Sequence, residues 1–461
     1  MPARGVVVVG AGQAGLETAA ALRGRGFDGR ITLVGDEPAV PYERPPLSKG
    51  FLAGTTAADE LELRPRSFFT AQDIDLVTGD RVSAIDRDRH TLRLASGLSL
   101  RYGRLVLATG ARPRTLPVPG AASLSGVLSL RTLADAEEAR RRLSGPPLQL
   151  VVVGAGFIGL ELAATARKLG HDVTVVEAQP KALRRALTPV MSDWLVERLR
   201  QGGARVLLGR EVTSLHGDAS GRVRVVELDV AERIPADLVV IGVGVLPNTE
   251  LAAAAGLLVG DGIVVDRHLR TDDPDVYAVG DCARFPSASA GRHLRLESVQ
   301  NACDQARCVA AALTGEPVPY TAVPWFWSEQ GPVRLQIAGL SAGHDETVLH
   351  GDPATGRFSV LCFHRGRLAA VESVGRPADH AIARRLLATG APLSPREARR
   401  PEFDFKACAS RARTASAGEK PATDEPATEK AAVDKPVHDK PVHEKPITPI
   451  TEKKEKVSVH A

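Results

Sequence analysis

The chain has 461 residues, 43% hydrophobic and 25% charged, a length and composition suited to a soluble globular protein of two or three domains. A formal net charge of +4 is too even a balance to make nucleic acid the main partner, and glycines and Glu161 break the apolar stretch near residue 150, which excludes a membrane span there. Five cysteines without regular spacing argue against a disulfide framework, and Met1-Pro2-Ala3-Arg4 runs into an apolar segment without a signal pattern, so the expected home is the cytoplasm.

The first element is the apolar run from Val6 to Val9, which reads as a buried parallel strand. Gly10, Gly12 and Gly15 follow as G-x-G-x-x-G, then LETAAALRGRG with helical periodicity, then a short strand from Ile31 to Val34 ending at Gly35-Asp36-Glu37. Strand, glycine turn, helix, strand and acid in this order make a dinucleotide site. The glycines allow a tight turn, close approach of a pyrophosphate, and close packing of helix on strand. The pyrophosphate would rest on the free N–H groups of the helix N-terminus, and Asp36 or Glu37 would accept hydrogen bonds from the adenosine ribose. PYERPPLSKGFL reads as a rigid proline loop that holds the cations Arg44 and Lys49 beside the cofactor. Residues 73 to 114 read as a strand, two hairpin strands and a strand ending in Leu107-Ala108-Thr109-Gly110, which returns Thr109 towards the cofactor.

Residues 146 to 177 repeat the opening pattern, with Gly154, Gly156 and Gly159 as a second fingerprint and Glu177 as its ribose-binding acid. Two fingerprints are far more specific than one. Two nucleotides bound face to face imply hydride transfer between a nicotinamide and a flavin. ADLVVIGVGVLPN, which includes Gly244, closes the second unit with a strand and a glycine-proline turn, and DPDVYAVGDCA ends a strand at Gly280-Asp281, with Asp281 beginning or preceding a helix. Alternating patterns from about Ala322 predict a small antiparallel sheet with the helix PADHAIARRLLATG. Trp325 and Trp327 share one strand face there, as core or as an aromatic wall beside a redox centre. From Glu419 a five-residue repeat of proline and mixed charge reads as a disordered, extended tail, whose histidines 438, 443 and 460 make no metal site.

The segments VVVVGAGQAG, LVGDE, RPPLSK, RLVLATGARPRTLP, LRTLADAE, VVVGAGFIGLELAATA, ADLVVIGVGVLPN, DPDVYAVGDCARF, ESVQNACDQAR and PWFWSEQ together resemble the FAD-dependent NADH:ferredoxin reductases that serve bacterial oxygenases, from Val6 to about Ala407. The resemblance implies an α/β fold of two Rossmann-like dinucleotide-binding domains, one inserted in the other, plus a small C-terminal α+β domain. FAD would occupy a discontinuous domain of residues 1–115 and 247–322, NADH the insert 116–246, and a [2Fe-2S] ferredoxin would dock with help from residues 323–408; the tail is 409–461. Carried over residue by residue, FAD would lie on Gly10, Gly12, Ala14 and Gly15, with Asp36 at the ribose and Val82 at the adenine through its backbone. Arg44, Lys49, Thr109, Arg131, Asp281, Val299 and Trp327 complete that set. NADH would lie on Gly154, Gly156, Gly159, Glu177 and Gly244, and Glu161 would face the flavin near the nicotinamide, paired with Lys49. The cation Lys49 would favour the charge of reduced flavin. A disulfide reductase or peroxidase of the same architecture would need a thiol beside the flavin, yet the first cysteine is Cys282 and PPLSK has none. A flavoprotein scaffold similar to apoptosis-inducing factor would need a basic surface that the charge balance does not provide.

Overall fold

A computed structural model describes residues 5–288 and 290–408 of the chain; the repeat tail lies outside the described residues. Val6–Val9 is the centre of a five-stranded parallel sheet, flanked by Ile31–Val34 and Arg104–Leu107, with Ile74–Val77 and Val276–Ala278 at the edges. All four residues of the central strand are buried, which is why its sequence is an unbroken valine run rather than an alternation. A second five-stranded sheet centres on Gln149–Val153, beside Asp172–Glu177 and Leu238–Ile241, with Arg205–Leu208 and Val127–Ser129 outermost. Because Val276–Ala278 belongs to the first sheet, the chain leaves that unit, builds the second and returns. Both crossings lie in one short antiparallel ribbon, where Ala111–Pro113 pairs with Val245–Pro247.

Residues 73 to 114 hold two strands more than the pattern predicts, Ser99–Arg101 and the ribbon strand Ala111–Pro113. Gly97, in the left-handed region with φ +91°, turns the chain so that Leu94 N–H meets the Leu98 carbonyl. Val82–Asp86, Thr91–Leu94 and Ser99–Arg101 therefore form a three-stranded antiparallel sheet rather than one hairpin. The C-terminal unit is a five-stranded antiparallel sheet in the order Trp325–Gln330, Val333–Gly339, Arg367–Val374, Arg357–His364 and Glu346–Asp352, with helix Pro377–Thr389 on one face. Its other face joins the core of the second Rossmann unit: Leu335, Ile337, Phe358 and Val374 are buried in one cluster with Leu160, Leu195, Val196 and Leu199. Among the described residues, no helix is long and apolar enough to cross a membrane.

Candidate functional site

The two glycine turns open onto one connected cleft of 2840 Å³, well above the roughly 300–1,000 Å³ of a single-ligand pocket. Helices Gln13–Gly24 and Phe157–Lys168 start at Gly12 and Gly156, neither of which offers a side chain to cap the first turn. Their leading N–H groups are thus available to an anion at both turns. Gly10 has φ +115°, and a Cβ there would fall 2.1 Å from the Ala108 carbonyl oxygen. Gly15 packs the helix on the strand so tightly that a Cβ would sit 1.8 Å from the Gly10 oxygen, whereas one on Gly12 would meet nothing within 4 Å. Gly154, Gly156 and Gly159 repeat the arrangement: a Cβ on Gly159 would lie 2.2 Å from the Gly154 oxygen. Each loop has its tight residues at the strand and its open residue at the cleft, which fits two dinucleotides.

Gly10, Gly12, Ala14, Asp36, Arg44, Lys49, Thr109, Arg131, Asp281, Val299 and Trp327 all line this cleft, as do Gly154, Gly156, Gly159, Glu161, Glu177 and Gly244. Gly15 stands behind the wall as packing. Val82, whose expected contact with the adenine is through its backbone, packs its side chain into the core of the first unit at 6% exposure and opposes Leu94 in the small antiparallel sheet. Asp281 sits in the single 3-10 turn Gly280–Cys282 rather than at the head of a longer helix, because the next helix begins only at Val299, capped by Ser298.

The charges on the wall are mostly paired with one another. Arg44 donates to Glu37 at 2.5 Å and to the Arg131 carbonyl at 2.7 Å, so its guanidinium is held by protein groups rather than left free for phosphate. Tyr42 donates to the same Glu37 at 2.5 Å and accepts from Leu133 N–H, and burial pushes its hydroxyl pKa well up. Arg131 forms an ion pair with Asp281 at 2.9 Å. Glu177 accepts Ala155 N–H and Gln179 N–H, both at 2.8 Å, which ties the acid to the second glycine loop. Thr109 and Asn248 exchange two hydrogen bonds, hydroxyl to carbonyl at 2.7 Å and amide to carbonyl at 2.8 Å, joining the halves of the first unit at the cleft.

A buried carboxylate lines the same cleft. Glu161 is 2% exposed and pairs with Lys49 at 2.7 Å. It also accepts from the Ser48 hydroxyl at 2.6 Å, the Ser328 hydroxyl at 2.7 Å and Glu329 N–H at 3.3 Å. Lys49 donates in addition to the Pro45 carbonyl at 2.8 Å. One carboxylate thus joins the proline turn, the second helix and the C-terminal sheet, and its four partners are what make burying it tolerable. Ser48, Ser328 and Asn248 escape a reading of the sequence because serine and asparagine carry no spacing signal and their partners lie over a hundred residues away.

Trp327 lines the cleft beside Phe326, whose ring meets Phe157 at 4.6 Å, and its own ring lies 5.7 Å from Trp325. Trp325 is turned from the cleft: Arg384 lies over its face at 4.4 Å and the His380 ring touches its edge at 5.8 Å. Trp327 is therefore cleft wall, while Trp325 packs against helix Pro377–Thr389. No cysteine lines the cleft. Burial pushes the Cys303 and Cys308 thiols up to about 11 and raises Cys282 as well, the reverse of what a redox nucleophile needs.

Residues 4–306 match the family model described as pyridine nucleotide-disulphide oxidoreductase, and residues 325–409 match the reductase C-terminal model. Rhodocoxin reductase of Rhodococcus erythropolis is 50% identical over 406 residues, 88% of this chain and 94% of that one. The crystal structure of the ferredoxin reductase for the CYP199A2 system from Rhodopseudomonas palustris superposes with a TM-score of 0.85 at 48% identity, covering 88% of this chain and 99% of that chain. The crystal structure of the covalent putidaredoxin reductase–putidaredoxin complex gives a TM-score of 0.85 at 41% identity, covering 89% and 99%.

Proposed function

The chain belongs to the pyridine nucleotide-disulphide oxidoreductase family, and we propose that within it the protein is an NADH:ferredoxin reductase, using FAD to pass electrons from NADH to a [2Fe-2S] ferredoxin that serves an oxygenase. One observation carries the reading beyond the family. The Lys49–Glu161 pair lines the cleft onto which both glycine cradles open and is bonded directly to Ser328, on the strand that holds Trp327, with no thiol on the cleft wall among the described residues. That arrangement supports electron transfer in place of dithiol chemistry. Bound FAD supplies the conversion of a two-electron hydride into single electrons.

The protein's share is binding and orientation. The N-termini of the two glycine-loop helices hold pyrophosphates, Asp36 and Glu177 offer acceptors to the ribose hydroxyls, and Lys49 places a positive charge where reduction adds a negative one. Glu161 holds that ammonium in place. The two-unit topology supports a FAD domain of residues 1–115 and 247–322 with an NADH domain of 116–246 inserted in it, since both crossings share one ribbon. Cys282, Cys303, Cys308 and Cys362 are buried thiols, which supports the cytoplasm as the home of this chain.

The test is anaerobic mixing of the FAD-loaded protein with NADH, followed by a panel of [2Fe-2S] ferredoxins read by their visible spectra. Bleaching of the flavin and reduction of at least one ferredoxin are expected; bleaching with electron transfer only to disulfides would overturn the reading. NADH is expected to outperform NADPH in kcat/KM by about tenfold or more. Glu177 repels a 2′-phosphate, and Lys181, the nearest cation that would offset it, is held by both oxygens of Asp193 at 2.7 Å. Parity between the two nucleotides would mean that Arg184 and Arg185 supply the missing charge.

A further inference from the structure

Glu372 is a buried acid that plays no part in the chemistry above. It lies in strand Arg367–Val374 of the C-terminal sheet with 0% exposure, and burial raises its carboxyl pKa. Its two oxygens are directed out of their own domain. One accepts Thr188 N–H at 2.8 Å and the other accepts the Thr188 hydroxyl at 2.6 Å. Thr188, itself 0% exposed, is the N-cap of helix Pro189–Gln201 in the second Rossmann unit. Two residues earlier, the Ala186 carbonyl accepts the Ser341 hydroxyl at 2.9 Å, again from the C-terminal unit.

Between strand Asp172–Glu177 and that helix runs the segment 178–188, which puts Gln179, Lys181, Arg184 and Arg185 on the cleft wall next to Glu177. The segment is anchored along its length: the Gln179 carbonyl accepts Gly209 N–H at 2.9 Å, Lys181 pairs with Asp193 at 2.7 Å, and Ala186 and Leu187 N–H both return to the Leu183 carbonyl. Leu183 is held at φ +52° and donates its N–H to the Ala155 carbonyl of the second glycine loop at 3.1 Å, and Ala182 accepts from Ser192 at 2.6 Å. Its far end is tied to the C-terminal unit as well as to its own helix, through Glu372 and Ser341. A buried carboxylate is unfavourable unless its acceptors are used, and here each oxygen accepts from Thr188 of the neighbouring domain. The same negative charge lies at the start of helix Pro189–Gln201, where it is favourable.

We propose that Glu372 is a positioning residue for NADH: the C-terminal domain, through its Glu372–Thr188 bond, sets the segment that receives the adenosine half of the dinucleotide. This rests on the second glycine loop being the NADH site. The domain that carries Trp327 thereby also shapes the donor site.

The experiment is steady-state kinetics of the full-length, FAD-loaded protein with NADH as donor and ferricyanide as acceptor, so that no docking step enters. Glu372→Gln leaves only one acceptor oxygen for two donors and is expected to raise KM for NADH about three- to tenfold while kcat at saturating NADH stays within about twofold. Thr188→Val removes one of the same bonds and should raise KM in the same direction, the double variant should add nothing further, and Thr188→Ser, which keeps both donors, should retain the wild-type KM. If Glu372→Gln does not load FAD, Thr188→Val and Ser341→Ala carry the same test from the other side of the contact. An unchanged KM in loaded variants, or a fall in kcat without a change in KM, would overturn the proposal. Failure of the wild-type flavin to bleach with NADH would instead overturn the assignment of the second loop, and this proposal with it.

Discussion

At the residue scale, Glu161 is better provided for than a lone ion pair would be. Removing the ammonium in Lys49→Met leaves the carboxylate with the Ser48 and Ser328 hydroxyls and Glu329 N–H, so the loss of stability should be modest. We expect Lys49→Met to bind FAD and to slow its reduction by NADH in stopped flow, and Glu161→Gln in the same chain to restore about 1 kcal/mol of stability. Wild-type reduction rates, or strictly additive losses in the double variant, would show that the pair does not act as a unit. His380 makes a pH prediction. It is 4% exposed, its Nδ1 has no partner among the described residues, and burial, then Arg384 and Arg334, push its pKa down to about 4. The unfolded chain takes up a proton near pH 6.5 that the folded chain refuses, so stability is full above that pH and falls as pH drops towards 4. His380→Gln should remove about 2–3 kcal/mol of that fall in urea unfolding at pH 7, 5.5 and 4.5. Parallel curves for the two proteins would refute it.

At the scale of elements, the first glycine loop separates two jobs that a motif merges. A Cβ on Gly12 meets nothing within 4 Å and its backbone, φ −89° and ψ −163°, suits any residue. A Cβ on Gly15 meets a backbone oxygen at 1.8 Å. Gly12→Ala should therefore fold with little change in the midpoint of the FAD-free protein but bind FAD at least about tenfold more weakly, through loss of the space a pyrophosphate needs. Gly15→Ala should cost about 3 kcal/mol or more, because helix and strand must separate to admit it. Thermal unfolding of the FAD-free proteins and FAD titration distinguish the two; equal stability in both variants would contradict the packing argument.

At the scale of the whole molecule, the C-terminal sheet and the second Rossmann unit share a core and should unfold together. Phe358 is 0% exposed and its ring meets that of Trp194, on helix Pro189–Gln201, at 5.2 Å. Phe358→Ala should cost about 3–5 kcal/mol and lower a single transition reported alike by tryptophan fluorescence and circular dichroism. Two separated transitions would show that the units are energetically independent. The same shared core makes Glu372 and Ser341 effective at a distance from the tryptophan face, since a rigid sheet presents all of them at once.

The two cradles were legible in the sequence because each is local: strand, glycine turn, helix and acid follow within about 30 residues, and each glycine's constraint comes from its own turn. The valine runs likewise announced parallel strands buried on both faces, and the alternation after Ala322 announced a half-buried antiparallel sheet. The sequence also showed, through its family resemblance, that Lys49 and Glu161 belong together. It did not show the serines that hold Glu161, the exchange between Thr109 and Asn248, the pairing of Arg44 with Glu37, or the core packing of the Val82 side chain. Those depend on which side chains meet across more than one element. Hydrogen-bond satisfaction of a buried charge is decided by three-dimensional neighbours, and no period or spacing along one chain records them. Glu372 is the clearest instance: in sequence it is one acid in an alternating strand, and only the packing of that strand against a helix start from another domain gives it a partner.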